Sequence, residues 1–296
     1  MPQECNIKPP TTVANTTERN AILPELRYEG MMVWVSALET VHRLVGGIEN
    51  TDWQVFTASD PRIITGNPQY YISPSGSDDN DGISAASPWQ TNAKVANWLL
   101  THLFNGRVIL NYAQGTYTDA LNIQYFGGRE LRIVNASSQP ENYGYVVFAE
   151  PITLVGIPVV SLAYVTVSKA DTGTAASTAL TISCCSQATI TGFNSIGLGA
   201  VGINFISVTG ATIDAVSSRM RNKTYGIRSY RGHTQITGVS SGSSGNTYVM
   251  YARQGNHTTT NAAGGAPFGT PASGGRNAST AEGGLVTDFS RNNITT

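Results

Sequence analysis

The sequence predicts an all-β fold built mainly from a solenoid of short strands. Between residues 107 and 253, apolar runs of three to five residues alternate with turns rich in Gly, Asn and Ser, and helical spacing is absent. Three of these runs repeat an imperfect motif whose starts, at Ala188, Ala211 and Thr234, lie 23 residues apart. A period of this length fits one solenoid coil per repeat, and the lack of intervening helices excludes a βαβ sheet.

Composition agrees with such a fold and excludes several function classes. Charged residues make up only 12% of the 296 residues, and the formal net charge is -1. Nucleic-acid binding usually shows as a basic domain or stripe, so no nucleic-acid partner is expected. No run approaches the roughly 18 apolar residues that span a bilayer, and residues 1–10 lack the apolar core of a signal peptide. We therefore expect synthesis in the cytoplasm, no membrane insertion and no cofactor.

The first part of the chain divides into a polar arm and a small β-rich module. Residues 1–20 are polar, contain two adjacent prolines and are predicted to form an extended arm. Residues 21–66 contain two short β-rich runs separated by a turn, and Trp53 supplies apolar mass for a small core. A unit of this size needs neighbouring structure to be stable.

Two stretches of the module, residues 19–33 and 44–53, read R-x-A-I-x-x-x-x-R-Y-x-G-M-x-V followed by L-x-G-G-I-x-N-x-x-W. This pattern resembles a recurrent segment of bacteriophage tail-fibre and tailspike proteins, in which it is a virion-attachment or adaptor unit with no chemistry ascribed to it. A generic β-hairpin module is the alternative. The residues to which the resemblance assigns attachment are Arg27, Tyr28, Gly30, Gly46, Gly47 and Trp53.

A second resemblance begins where the solenoid is expected to start. Residues 70–84 and 87–91 read Y-Y-I-S-P-S-G-S-D-D-N-D-G-I-S and S-P-W-Q-T. They are similar to the opening of right-handed, single-stranded parallel β-helix proteins of the pectate-lyase type, which include phage tailspikes and polysaccharide lyases. The resemblance implies an opening turn and capping helix over residues 67–106, a parallel β-helix over residues 107–253, and assembly as a homotrimer.

Helical periodicity follows the opening turn. Thr91 is a suitable N-cap for a helix over residues 92–104, and Val95, Trp98 and Leu99 recur on one face. In β-helix proteins such a helix covers the open end of the first coil, which would otherwise expose apolar side chains and unpaired strand edges. The resemblance implies the same role here.

The opening turn also matches the front half of a calcium-binding loop, from Ser77 to Gly82. Ser occupies the first ligand position, and Pro88 stands where an EF-hand requires Glu. We therefore predict a structural turn without a metal ion. Asp79 and Asp81 are the only candidate ligands that this pattern offers.

Catalysis by a glycan-cleaving β-helix would need two carboxyl groups, one acting as an acid and the other as a base or nucleophile. Acidic residues are sparse beyond residue 106, and no two adjacent repeats carry them at equivalent positions. Asp214 follows an inward-facing strand and could line a groove, although a lone carboxylate there is more typical of a turn. Its catalytic partner would have to be Asp171, Glu150 or a residue of another chain. Asp171 and Asp214 are the catalytic candidates, but the sequence favours a protein that is not a polysaccharide hydrolase or lyase.

Basic and aromatic residues are interleaved between residues 219 and 231. Such side chains on one surface can bind anionic sugars, because rings stack on the sugar face and guanidinium groups make bidentate bonds to carboxylate or phosphate. A solvated loop or a subunit interface is an equally weighted alternative. The candidate glycan-binding residues are Arg219, Arg221, Tyr225, Arg228, Tyr230 and Arg231.

The tail, residues 254–296, is rich in Gly, Ser, Thr and Asn and has few bulky residues. It is either flexible or ordered by wrapping neighbouring subunits. Three functions remain open for the whole chain: a virion structural protein that adheres to host-surface polysaccharide, a polysaccharide-depolymerising tailspike, and a connector that binds only other phage tail or capsid proteins. Each places the chain in the virion, and the sequence does not separate tail from capsid.

Overall fold

The computed structural model is predominantly β, and nearly all strand pairs in it are parallel. The all-β class predicted from sequence is therefore confirmed. None of the helices described is long and apolar enough to cross a membrane. The structure describes residues 11–56, 63–136, 146–168, 178–196, 199–214, 218–221, 223–237, 246–253, 256–260, 271–281 and 285–288.

Residues 11–56 form a small sheet with a separate core, and we call this unit the N-terminal module. Its strands lie in the order β1-β2-β3-β4, with β1 parallel to β2 and the other pairs antiparallel. Three short 3-10 turns occupy the connections, at Pro24–Leu26, Ser36–Leu38 and Asn50–Asp52. The elements are β1 (Thr11–Val13), α1 (Thr16–Asn20), β2 (Met32–Val35), β3 (Thr40–Leu44) and β4 (Trp53–Phe56).

The module is larger than the sequence predicted, because part of the expected arm belongs to it. Residues 11–20 contain a strand and a helix rather than an extended polar segment. The side chain of Asn15 accepts a hydrogen bond from the Glu18 N–H and caps α1, while β1 pairs with β2. The buried apolar residues of the module are Val13, Met31, Val33, Val35, Leu44 and Trp53.

The region before the long sheets contains two short strand pairs and one helix. Its elements are β5 (Ile63–Ile64), β6 (Gln69–Ile72), α2 (Asn92–Thr101) and β7 (Leu103–Phe104). The hydroxyl of Thr91 accepts a hydrogen bond from the Lys94 N–H, as predicted for the N-cap. The helix ends three residues earlier than predicted, at Thr101, because the chain becomes extended at His102 and β7 then pairs with β5.

From residue 107 to residue 237 the chain passes in turn through three parallel sheets, and the later described strands alternate between two of these sheets. This connectivity is compatible with a parallel β-helix, and we use the name β-helix for residues 63–288. The strands are β8 (Arg107–Tyr112), β9 (Gly115–Tyr117), β10 (Leu121–Gln124), β11 (Glu130–Asn135), β12 (Val146–Phe148), β13 (Ile152–Val155), β14 (Val159–Ala163), β15 (Thr166–Ser168), β16 (Thr178–Ser183), β17 (Gln187–Thr191), β18 (Asn194–Ile196), β19 (Gly199–Ile206), β20 (Gly210–Asp214), β21 (Arg219–Met220), β22 (Lys223–Tyr230), β23 (His233–Thr237), β24 (Asn246–Arg253), β25 (Asn256–Thr260), β26 (Pro271–Ala281) and β27 (Leu285–Asp288).

Among the described residues, the three sheets differ in their number of strands. Sheet I has nine described strands, in the order β27-β25-β23-β20-β17-β14-β11-β8-β6. Sheet II has five described strands, β21-β18-β15-β12-β9, and sheet III has seven, β10-β13-β16-β19-β22-β24-β26. Helix α2 packs beside β10, and its buried residues Val95 and Leu99 join the same apolar core as the strands.

The repeat found in the sequence coincides with the register of sheet I. Ala188 pairs with Ala211, and Ala211 pairs with Thr234. Two residues further along each strand, the side chains of Ile190, Ile213 and Ile236 stack in the interior with no solvent exposure. One repeat therefore corresponds to one coil here, as predicted, and stacked branched side chains fill the interior.

A single residue in the left-handed conformation makes each of five turns from sheet III to sheet I. Only one of the five is glycine, although this conformation costs other residues roughly 1–2 kcal/mol. The backbone ladder continues through the turn, since Gly156 N–H donates to Ser183 O and Cys184 N–H donates to Ile206 O. The five residues, with φ between 53° and 69°, are Tyr125, Gly156, Cys184, Ser207 and Arg231.

Candidate functional site

Four side chains on β22 and β24 form a compact group on sheet III, which we call the ridge cluster: Tyr225, Arg228, Tyr230 and Tyr251. The guanidinium carbon of Arg228 lies 5.8 Å from the ring centroid of Tyr225 and 5.2 Å from that of Tyr230. The ring of Tyr251 lies 4.9 Å from Tyr225 and 6.5 Å from Tyr230. A cation is thus bracketed by two aromatic rings, and a third ring lies beside them.

Strand register and one hydrogen bond fix Arg228. Its neighbours across the sheet are Asn204 on β19 and Tyr251 on β24. Arg228 Nε donates to Asn204 Oδ1 at 2.9 Å. Its chain neighbours Ile227 and Ser229 are buried, whereas Arg228 is partly exposed. The side chain therefore points away from the core with its orientation set by the sheet.

The structure brings together only part of the predicted glycan-binding set. Arg219 lies on β21 in sheet II, and the exposed Arg221 follows that strand. Arg231 is exposed at the left-handed turn after β22. Of the predicted set, Tyr225, Arg228 and Tyr230 share one strand, and these three belong to the ridge cluster.

Sequence reasoning missed Tyr251, which completes the cluster. The signal that could have found it is the coil period, because Tyr251 pairs with Arg228 and follows it by 23 residues. This is the same offset that relates Ala188 to Ala211. Extending the repeat from the apolar positions to the outward-facing ones places a third tyrosine beside the arginine.

The catalytic candidates do not form a carboxylate pair in the part of the chain that the structure describes. Asp214 ends β20 in sheet I, and its partners on the neighbouring strands are Thr191 and Thr237. Asp171 lies outside the described residues. Among the described residues, the positions paired with Asp214 on the two adjacent strands are threonines, so these positions do not supply the second carboxyl group that glycoside cleavage requires.

The opening turn is stabilised by a carboxylate that the calcium-loop pattern did not single out. Asp78 accepts hydrogen bonds from the Gln90 and Thr91 N–H groups and from the Thr91 hydroxyl, at 2.6–3.0 Å. Burial by itself would raise the pKa of Asp78, but the hydrogen bonds from Thr91 and Gln90 and the charge of Lys94 together lower it.

The side chain of Asp81 and the backbone of Asp79 both take part in hydrogen bonds of the opening turn. Asp81 Oδ1 accepts from the Ile83 N–H at 3.1 Å, and the Asp79 N–H donates to Ser77 Oγ at 3.3 Å. Across the described ranges, no group of three or more His, Cys, Asp or Glu residues could hold a metal ion. The arrangement is that of a hydrogen-bonded turn.

Most of the predicted attachment residues stabilise the module internally. The guanidinium of Arg27 donates to the carbonyl oxygens of Asn20, Ile22 and Ile48 at 2.7–2.9 Å. The side chain of Trp53 is buried in the module core. Arg27 and Trp53 therefore contribute to the fold of the module.

Backbone geometry and close packing explain why glycine stands at three positions of the pattern. Gly30 and Gly46 adopt φ of 84° and 86°, a conformation that favours glycine, and a side chain at Gly47 would collide with the carboxylate of Asp52. Tyr28 is the exception among the attachment candidates, because 42% of it is exposed. Its ring stacks on Tyr125 of the β-helix at 5.3 Å.

Exposed apolar side chains are concentrated in the module. Ten large apolar residues are well exposed among the described residues, and seven of them belong to residues 11–56. Contiguous exposed apolar patches are typical of protein-interaction sites, so the higher share of exposed apolar residues makes the module the better candidate for such a site. The seven are Leu23, Leu26, Tyr28, Trp34, Leu38, Ile48 and Val55.

A buried arginine joins the module to α2. The guanidinium of Arg43 donates to Thr101 O at 3.0 Å and to Leu100 O, both in the last turn of the helix. A cation at this end of a helix satisfies carbonyl groups that have no partner within the helix and complements the helix dipole. With the Tyr28–Tyr125 stack, this gives the module two contacts on the β-helix.

A second buried arginine contacts a histidine inside the module. Arg19 Nη1 lies 2.6 Å from His42 Nδ1, and the guanidinium carbon lies 5.4 Å from the ring centroid of Trp53. Burial is the larger cause of a lowered pKa of His42, and the positive charge of Arg19 lowers this pKa further. His42 is therefore neutral near pH 7, with Nδ1 accepting from Arg19 and Nε2 facing the hydroxyl of Thr40 at 3.1 Å.

Comparison with known proteins gave no match: no family model, curated protein or solved structure is similar to this chain.

Proposed function

We propose that this chain is a bacteriophage virion structural protein, a tail fibre or tailspike, that is anchored by its N-terminal module and presents a right-handed parallel β-helix for adhesion to host-surface glycans. The observation that carries the adhesion half of the proposal is the ridge cluster, in which Arg228 lies between Tyr225 and Tyr230. The attachment half is supported by the exposed apolar surface of the module.

The chemistry of the ridge cluster suits an anionic sugar. A guanidinium group forms charge-assisted, bidentate bonds to a carboxylate or phosphate, and tyrosine rings pack against the C–H face of a pyranose. Because Asn204 already orients Arg228, little side-chain entropy remains to be lost when a ligand binds. The preferred ligand is therefore a polysaccharide with uronate or phosphate substituents.

Assembly follows from the same proposal. The chain associates with copies of itself as a homotrimer and, through the module, with another tail or capsid protein. Helix α2 caps the first coil, since Val95 and Leu99 on it are buried in the core of the sheets. At the C-terminal end of α2, the carbonyl oxygen of Thr101 accepts a hydrogen bond from Arg43, so α2 also links the N-terminal module to the β-helix.

Charge reversal tests the adhesion half. Purified wild type, Arg228→Glu and Arg132→Glu are passed over immobilised acidic capsular polysaccharide and lipopolysaccharide, after circular dichroism has shown equal folding. Arg132 is an exposed arginine on β11 in sheet I, so it controls for net charge. Retention lost in Arg228→Glu and kept in Arg132→Glu supports the proposal. Retention that is equal in all three refutes the ridge cluster as the adhesion site.

A connector that binds only other virion proteins is the second candidate, favoured by the seven exposed apolar residues of the module. Depolymerase activity is a weaker alternative, because the strands beside Asp214 carry threonine at its position. Incubation with the same polysaccharides separates these functions. New reducing ends or unsaturated uronates would reveal an enzyme, and a wild-type protein that is not retained at all would favour the connector.

A further inference from the structure

The N-terminal module has an acidic charge that the rest of the chain does not share. Residues 11–56 contain five glutamates and one aspartate, but three arginines and no lysine, so their formal net charge is -3. Because the whole chain has a formal net charge of -1, the remaining residues together carry +2. The excess of acids is therefore a local property of the module.

The three arginines of the module direct their guanidinium groups towards neutral acceptors inside the protein. Arg19 is buried and donates to the side-chain oxygen of Asn20. Arg27 donates to three carbonyl oxygens within the module, and Arg43 is buried and donates to carbonyl oxygens in the last turn of α2. The positive charges are thus used inside the fold, and the outer surface of the module is dominated by carboxylates.

Two exposed acids lie among exposed apolar side chains in two segments that are joined by hydrogen bonds. The Leu26 N–H donates to Leu23 O at 2.9 Å and closes a 3-10 turn. Arg27 follows this turn directly, and its Nη1 donates to Ile48 O at 2.9 Å, which holds the second segment beside the first. We call the exposed residues of the two segments the acid-leucine face: Leu23, Glu25, Leu26, Ile48 and Glu49.

The apolar members of the acid-leucine face are well exposed to solvent. Leu23 is 55% exposed, Leu26 is 50% exposed and Ile48 is 38% exposed. Covering such side chains with another protein removes apolar surface from water and is favourable. The carboxylates of Glu25 and Glu49 lie beside them and favour a partner that brings positive charge to the same contact.

We propose that the acid-leucine face is the docking surface for a virion protein that presents Lys or Arg side chains around an apolar surface of its own. Apolar burial would supply affinity, and the opposite charges would speed association and exclude acidic partners. The inference rests on the attachment half of the proposed function. It adds the face of the module that makes the contact and the chemistry of the partner.

The test adds purified full-length protein to virion particles assembled without this chain and measures the bound fraction by sedimentation at low and high salt. The face variants are Glu25→Lys and Leu26→Ser. Glu39→Lys and Leu38→Ser are the matched controls, because these residues are also exposed but lie in the turn between β2 and β3. Thermal unfolding verifies that all proteins are folded, and mass photometry measures their oligomeric state.

We expect each face variant to lose about tenfold in affinity for the particles, because Glu25→Lys replaces attraction by like-charge repulsion and Leu26→Ser removes an apolar contact. Both control variants should bind as wild type does. High salt should weaken wild-type binding, since it screens the charges of the contact.

Face variants that bind as wild type does, or controls that lose as much, would overturn the inference and leave the attachment function intact. A loss confined to one face variant would refute a partner that is both apolar and basic. An altered oligomeric state of the face variants would assign the face to a second copy of the chain and would also overturn the inference. Particles that bind no wild-type protein would contradict the attachment function itself.

Discussion

The N-terminal module and the β-helix differ in the share of their large apolar residues that is buried. The module has a core of six buried apolar residues in its described part, and it exposes seven large ones. The β-helix has a continuous core that runs from Tyr70 to Ile236, and among the residues whose burial the structure describes outside the module, three large apolar ones are well exposed. A solenoid buries its interior by stacking one coil on the next. The module is too small to do this, so its stability depends on packing against neighbouring structure.

The largest effect is expected from breaking the stack in the middle of the β-helix. Ile213→Ala removes a fully buried side chain that packs between Ile190 and Ile236, and should destabilise the β-helix by about 2–5 kcal/mol. Thermal and urea unfolding followed by circular dichroism measure this. Thr212→Ala, on the outward face of the same strand, should change stability by no more than about 0.5 kcal/mol. Equal effects of the two changes would contradict the stacked interior.

The turns of the β-helix give a second, smaller effect. Gly192 has φ of 63°, and a side chain there would collide with the ring of Tyr164 in the preceding coil. Gly192→Ala should therefore cost about 1–3 kcal/mol. Gly210→Ala is the control, because its new side chain would meet only Ser186 O at 3.9 Å. In a protein that already carries Tyr164→Ala, Gly192→Ala should lower the free energy of unfolding by less. An undiminished loss would show that the collision with the ring is not the cause of the destabilisation.

The contact between the two regions can be weakened without disturbing either core. Arg43→Met removes the bonds to the last turn of α2 and should cost about 1–3 kcal/mol, expressed as faster hydrogen exchange in the module and at the end of α2. Arg132→Met on the surface of sheet I is the control and should leave exchange unchanged. Equal exchange in wild type and Arg43→Met would show that the module does not depend on this contact.

The smallest effect is a pH dependence confined to the module. Burial and Arg19 lower the pKa of His42, so the unfolded chain takes up a proton at a pH where the folded module does not. The contribution of neutral His42 to the stability of the module is therefore complete above about pH 6.5, the ordinary pKa of histidine. This contribution is lost as the pH falls below that value. Hydrogen exchange of β2 and β3 should accelerate from pH 7.5 to 5.5, after correction for intrinsic rates. His42→Gln should remove this dependence; a variant that keeps it would assign the titration to another group.

The two regions also differ in how far their sequences predict them. The period that relates Ala188, Ala211 and Thr234 predicts both the coil and its register, because stacked coils place equivalent residues side by side. The left-handed turns were missed, since residues such as Tyr125 and Arg231 stand where local propensity favours glycine. In the module, β1 was missed because it owes its structure to pairing with β2, which lies about twenty residues away in the chain.

For the ridge cluster, the basic and aromatic composition predicted three members, and the fold decided which residues join them. Arg219 and Arg221 are close in sequence to Tyr225, but Arg219 lies on β21 in another sheet and Arg221 directly follows that strand. Tyr251 is distant in sequence and adjacent in space. Contact across coils follows the repeat period and not proximity along the chain.

The most direct test of the central claim is the affinity of the ridge cluster for an acidic oligosaccharide, measured by calorimetry for wild type, Arg228→Glu and Arg132→Glu at low and high salt. We predict that Arg228→Glu weakens binding at least about tenfold, that Arg132→Glu has no effect, and that salt weakens wild-type binding. Binding that is insensitive to both Arg228→Glu and salt would contradict adhesion through this cluster.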